Sequence, residues 1–250
     1  MKILISIANY GDSQLNYLNT IIDEFRSYKR YDITINVHST VPVYRKDINL
    51  TLYDPSIKTK LVSVHRKEFV NSIEDYDLFL YTENDILIKE ETIDTFLKYE
   101  LLLDINHCLG FIRYEKLPND ENIYITPDVF FNVPKRGMDN NNININNISY
   151  FTLQNDHQGC WILSQNKLKN IISNFQFISD TSNLESGASE IYSKWIHGIN
   201  GVKGGPIIKI YTKNKEDLDK CLIHHLSDKY CSPSYRMNTY QWLTSEIKTI

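Results

Sequence analysis

Residues Leu78, Phe79, Leu80 and Tyr81 form a continuous apolar run, bounded by Asp77 before it and by Thr82-Glu83-Asn84-Asp85 after it. A strand that is apolar at every position is covered on both faces, the situation of a parallel strand inside an open α/β sheet. No other segment constrains the chain as much, because such a strand needs helices packed over its sheet. Open sheets of this class also bind ligands at the carboxyl ends of their strands. Glu83 and Asp85 stand at that end. In extended backbone alternate residues leave on one side, so the two carboxylates are about 7 Å apart along the chain at ~3.3 Å per residue. That separation suits sharing one divalent ion, directly and through water.

The flanking segments agree with this class. Ile3 to Ala8 reads as a strand, Gly11-Asp12-Ser13 as a turn and N-cap, and Leu15, Leu18, Ile22 and Phe25 recur at helical spacing. Ile33, Ile35 and Val37 alternate with Thr34, Asn36 and His38, the period of a second strand, and Lys60 to Val64 reads as a third. Phe69, Val70 and Ile73 mark a helix leading into the acid-tipped strand. Alternating strands and helices predict a mostly parallel, Rossmann-like sheet with right-handed crossovers.

Beyond Asp85 the pattern loosens. Ile93, Phe96, Leu97 and Leu101 predict a helix and Leu109 to Tyr114 a strand, whereas Lys116 to Tyr150 looks loop-dominated apart from Tyr124-Ile125 and Val129-Phe130-Phe131. Within it the asparagine-rich stretch over 139–148 reads as a surface loop insertion. Strand Gly159–Leu163, a helix through Leu168, Ile171, Ile172 and Phe175, another through Ala188, Ile191, Tyr192 and Trp195, and strand Ile207–Tyr211 follow. At 250 residues one domain is expected.

A net charge of −4 and the absence of a long Lys/Arg block, Lys29-Arg30 and Lys135-Arg136 being isolated pairs, argue against a nucleic-acid binder. The opening apolar stretch turns polar at Asn9, too early for a signal peptide or a membrane span, so a soluble cytoplasmic protein is expected. Cys108, Cys160, Cys221 and Cys231 form no CxxC pair and are expected as free thiols; Cys221, His224, His225 and Cys231 match no usual zinc-finger spacing.

The arrangement resembles the GT-A glycosyltransferases, and most of all the compact glycosyltransferases of large DNA viruses. In that fold a nucleotide-binding α/β half, here about 1–90, ends in an acid-x-acid motif, here Glu83-Asn84-Asp85, and a less regular half, here about 91–250, receives the acceptor. The segment His225-Leu226-Ser227-Asp228-Lys229-Tyr230 is similar to the carboxyl-terminal segment that completes metal coordination in several of these families. The resemblance implies a nucleotide-sugar donor, uridine-linked, a glycan or glycoconjugate acceptor, and transfer with inversion. It also implies Mn²⁺ or Mg²⁺ held by Glu83, Asp85 and His225, with His224 as the alternative imidazole. The ion would stabilise the diphosphate that departs with its nucleoside.

An attacking hydroxyl needs a carboxylate base. Glu185, at a predicted helix start, resembles the base position of inverting members, and Asp156 is the second candidate. An acid in a helix's first turn is also favoured by the macrodipole alone. Nucleotide contacts are expected from Ala8, Asn9 and Tyr10 after the first strand, His38 and Ser39 after the second, Arg66 toward the diphosphate, and Asn84. Tyr114, Tyr150, Phe151 and Trp161 serve either as a sugar-stacking platform or as core. A nucleotidyltransferase and a non-catalytic sugar-binding module are the rival classes; the first lacks a glycine-rich phosphate loop after the first strand, where Gly11 stands alone.

Overall fold

The computed structural model describes residues 1–117, 120–125, 138–153, 157–174, 177–178, 189–192 and 205–230. The first half contains β1 (Lys2–Asn9), α1 (Leu15–Ser27), β2 (Asp32–Ser39), β3 (Asn49–Leu52), a 3-10 segment (Pro55–Ser63), α2 (His65–Asn71), β4 (Leu78–Glu83) and β5 (Ile86–Leu87). There follow α3 (Glu90–Glu100), β6 (His107–Leu109), β7 (Ile112–Leu117), β8 (Asp120–Ile125), β9 (Met138–Ile145) and β10 (Ile148–Leu153). The last described elements are β11 (Cys160–Ser164), α4 (Gln165–Asn174), β12 (Ile208–Thr212), α5 (Lys215–Lys220) and β13 (Leu222–His225).

The main sheet runs β11-β4-β1-β2-β3, parallel at every pairing except the β11 edge. β1 is buried from Ile3 to Asn9 and β4 from Leu78 to Thr82, which is why neither sequence alternates. Helix α1 turns Leu18, Ile21, Ile22 and Phe25 toward this core on a three-to-four residue spacing. Two four-stranded mixed sheets, β6-β12-β10-β9 and β5-β13-β7-β8, complete a mixed α/β fold. Tyr150, Phe151 and Trp161 are core residues. Cys108, Cys160 and Cys221 are free and buried, while Cys231 lies outside the described residues. Among the described residues no helix is long and apolar enough to cross a membrane.

Three segments depart from expectation, each for a local reason. The third strand is Asn49–Leu52 rather than 60–64, and its largely exposed pattern hid it. The 60–64 stretch instead belongs mostly to the 3-10 segment, started by Pro55 and by the Asp54 carboxylate, which accepts from the Ser56 amide at 2.8 Å. The run from Leu109 to Tyr114 is two strands in different sheets. It breaks at Gly110, where an added Cβ would lie 2.7 Å from Lys209 Cγ and from the Tyr211 ring.

The asparagine-rich stretch is a β9–β10 hairpin, not a loop insertion. Asn146 and Asn147 turn it with φ of 51° and 64°, the doubly left-handed turn that asparagine tolerates and hairpins favour. Ile143, Ile145 and Ile148 anchor it against the core. The strand expected at Val129–Phe131 and most of the helix expected through Ala188 and Trp195 lie outside the described residues.

Candidate functional site

The order of the main sheet reverses at β1: β2 and β3 continue on one side, and β4 comes back to the other. The crossovers on either side of such a point leave in opposite directions, so a crevice opens between the carboxyl ends of the two strands. A cleft of about 460 Å³ lies there. Ala8, Tyr10 and Gln14 line it from the β1 side, Glu83, Asn84 and Asp85 from the β4 side, and Lys58, Leu61, Val62 and Lys229 form further wall.

The acidic tip sits where the chain passes from one sheet to another. β4 ends at Glu83 in the main sheet, and β5 begins at Ile86 in the sheet it shares with β13. Antiparallel pairing sets His225 opposite Ile86, and the Leu226 amide donates to the Asp85 carbonyl at 2.8 Å. Parallel pairing of β13 with β7 matches His224 to Tyr114, which brings Glu115 beside His225. The result is a buried imidazole between two carboxylates: Nε2 is 3.0 Å from Asp85 Oδ2, and Nδ1 is 2.5 Å from Glu115 Oε1. Glu115 is held in turn by the Tyr230 amide, which donates to Oε2 at 2.8 Å.

These neighbours set the charges. Burial acts to lower the His225 pKa, but its hydrogen bonds to Asp85 and Glu115 outweigh that and raise it. Burial acts upward on Asp85, and the His225 bond overcomes it, holding that carboxyl below its ordinary value. Glu83 differs: burial, reinforced by the nearby Asp85 charge, pushes it up to about 7. Part of Glu83 still faces the cleft, and its backbone amide donates to the Gly159 carbonyl at 2.9 Å. Gly159 has φ of +66°, and a Cβ there would approach Glu83 Oε2 to 3.2 Å. Two carboxylates one residue apart thus sit in opposite electrostatic conditions, an arrangement frequent at functional sites.

Of the residues expected at the nucleotide, Ala8, Tyr10 and Asn84 line the cleft. Asn9 lies beneath, buried, accepting from Asn84 Nδ2 at 2.6 Å and donating to Ser39 Oγ at 2.8 Å, so it ties together the tips of β1, β2 and the acidic turn. His38 is turned into a network with Tyr53 and Glu68, at 3.1 Å each, and does not line the cleft. Arg66 is fully buried, paired with Glu190 and donating to the Phe177 carbonyl at 3.1 Å, so its guanidinium is occupied away from the cleft. His224 stacks on Tyr114 with centroids 4.8 Å apart and lies 3.2 Å from Asp228, so of the two imidazoles it is His225 that meets Asp85. Glu185 and Asp156 lie outside the described residues.

Whether these groups suit a divalent ion turns on Asp85. Its Oδ1 is buried without a hydrogen-bond partner among the described residues, an expensive state for a carboxylate oxygen unless something binds it, and a hard cation is the natural occupant. The Glu115 contact at Nδ1 is the kind of partner that orients an imidazole for ligation through Nε2. The donor set fits. Among the described residues no three His, Cys, Asp or Glu side chains form a cluster that could hold an ion, and Asp85 and His225 touch each other directly.

Sequence reading did not assign Gln14, Lys58, Glu115 or Lys229. Gln14 left one signal: the structure puts it, not Asp12 or Ser13, at the N-cap of α1, where glutamine is a poor choice. Lys58 carries φ of 48°, a backbone conformation usual for glycine and rare for lysine, which no local pattern foretells. No protein-family model matches the chain, and no curated protein matches it significantly.

Proposed function

We propose that this protein is a metal-dependent glycosyltransferase that moves a sugar from a nucleotide-sugar, uridine-linked, to a hydroxyl of a glycan or glycoconjugate. One observation carries the reading: a cleft at the sheet's switch point in which the Glu83-Asn84-Asp85 tip, with His225 behind it, faces Lys58 and Lys229. Carboxylates beside lysines suit a ligand that is anionic yet arrives with a cation, as a nucleoside diphosphate does.

Asp85 through Oδ1 and Glu83 from the rim would hold Mn²⁺ or Mg²⁺, and His225 would join them through Nε2 by giving up its bond to Asp85 Oδ2, an imidazole ligand tilting preference toward manganese. When bound, the ion neutralises charge that develops on the diphosphate leaving group. The chain's own groups do the rest. Lys58 and Lys229 bring positive charge to the phosphate oxygens, and Tyr10, half exposed on the cleft wall, offers an aromatic face to the base. Leu61 and Val62 exclude water beside it. The Asn84–Asn9–Ser39 chain holds the strand tips in one arrangement. In this reading Glu185 or Asp156 takes the proton of the acceptor hydroxyl.

The test combines binding with product analysis. Uridine diphosphate with Mn²⁺ should raise the melting temperature, since a ligand bound only to the native state stabilises it, and Asp85→Asn should remove the shift. A screen of nucleotide-sugars should give Mn²⁺-dependent hydrolysis or transfer that Asp85→Asn abolishes. Affinity without turnover identifies a binding module instead, and release of pyrophosphate a nucleotidyltransferase. No shift with any nucleotide sinks the proposal.

A further inference from the structure

We infer that Gln14 is a positioning residue for Asp85: it occupies one oxygen of that carboxylate so that the other is the atom offered to a divalent cation. The inference rests on the divalent-ion reading of the cleft. Gln14 holds the N-cap of α1, the place where a serine, threonine, aspartate or asparagine oxygen would accept from a first-turn amide. Its side chain makes no such bond. Instead it lines the cleft, and Nε2 donates to Asp85 Oδ2 at 3.1 Å across 71 positions of sequence.

Asp85 Oδ2 therefore has two neighbours from opposite elements, Gln14 Nε2 from α1 and His225 Nε2 from β13, while Oδ1, in a residue only 4 % exposed, has none among the described residues. A carboxylate held by one donor can swing; held by donors on both sides of the same oxygen, it keeps one face to the cleft. The chemistry of the residue also matters. A lysine in this place would bring a charge that competes with the cation, and an aspartate or glutamate would repel Asp85. An uncharged donor long enough to cross from the helix start satisfies both demands. The first turn of α1 contains no acidic residue to compete for the amide. The site so prepared suits a hard divalent cation, Mn²⁺ or Mg²⁺, because the remaining acceptor is a carboxylate oxygen.

The experiment titrates the full chain with Mn²⁺ alone, without nucleotide, by calorimetry, and measures the melting temperature of the ion-free protein in parallel. Gln14→Ser supplies a capping oxygen but no reach; Gln14→Met keeps the length and loses the donor. Both should weaken Mn²⁺ binding about 10- to 100-fold, the loss typical of groups that orient a metal ligand. The melting temperature of ion-free Gln14→Ser should match or exceed wild type. Opposite movements of affinity and stability are what a merely structural glutamine would not produce. Wild-type affinity in both variants overturns the inference, as does full affinity in Gln14→Met alone, which would make the side chain a packing element. Absence of Mn²⁺ binding by the wild type overturns the divalent-ion reading as well, so the two failures are distinguishable.

Discussion

Two regions of this molecule each bury a histidine to 1 % exposure and treat it in opposite ways. Under the main sheet, His65 of α2 stacks on Tyr81 with centroids 4.0 Å apart and lies 5.3 Å from Trp161. Among the described residues neither ring nitrogen finds a hydrogen-bond partner of ordinary geometry, nor do Tyr81 Oη and Trp161 Nε1. Burial drives the His65 pKa well below 6.5, so it is a neutral packing ring. Behind the acidic tip, His225 is as deeply enclosed but lies between Asp85 and Glu115, and its pKa is raised. Burial is common to both; the partners decide the charge.

The largest effect expected from breaking the contrast is at Glu115. Glu115→Ala removes one wall of the His225 site and strands the Tyr230 amide, and should cost about 3–5 kcal/mol in a denaturant titration, as loss of one partner from a buried ion pair does. Glu115→Gln, which retains shape and hydrogen-bonding atoms, should cost clearly less. Equal losses would mean that charge rather than shape holds the site.

The next effect depends on pH. Because the folded His65 pKa is depressed, the unfolded chain takes up a proton near 6.5 that the native state refuses; stability is full above that value and falls as pH drops below it. His65→Phe removes this loss. Its stability relative to wild type should rise by about 1.4 kcal/mol between pH 8 and pH 5.5, read from urea midpoints at both. His225 contributes with the opposite sign, its stabilisation present below 6.5 and lost as pH climbs through the raised folded value. A His65→Phe difference that does not vary with pH would show that the ring is charged or hydrated in the native state.

The smallest effect is at Tyr81, whose hydroxyl is buried with no partner. Tyr81→Phe should leave stability unchanged or raise it by up to about 1 kcal/mol in thermal melts, since nothing is lost but a desolvated oxygen. A loss above about 1 kcal/mol would reveal a partner for the hydroxyl and end the comparison.

Much of the main sheet was legible in the chain because its signals are local. An unbroken apolar run marks β4, alternation marks β2, and a three-to-four spacing marks α1. What misled was also local: Leu61 and Val62 look like strand but pack from a 3-10 segment, and a row of asparagines conceals a period of two that becomes a hairpin only when Asn146 and Asn147 turn it back. At the site, the acids at the end of β4 and a histidine near the carboxyl end could be singled out. Their company could not.

The sequence by itself determined that an acidic tip would close a buried strand, since burial on both faces and the step from apolar to charged are written in consecutive residues. Only the tertiary structure decided that His225 meets Asp85 across 140 positions, that Glu115 stands behind it, and that Gln14 leaves its own helix unserved to reach the same carboxylate. Those contacts follow from how β13 registers between β5 and β7 and from where α1 begins against the sheet. Register is a non-local quantity: a slip of one residue would turn His225 to the other face, and what resists it, the burial of Ile223 beside His225 on one face, exists only once the partner strands are in place.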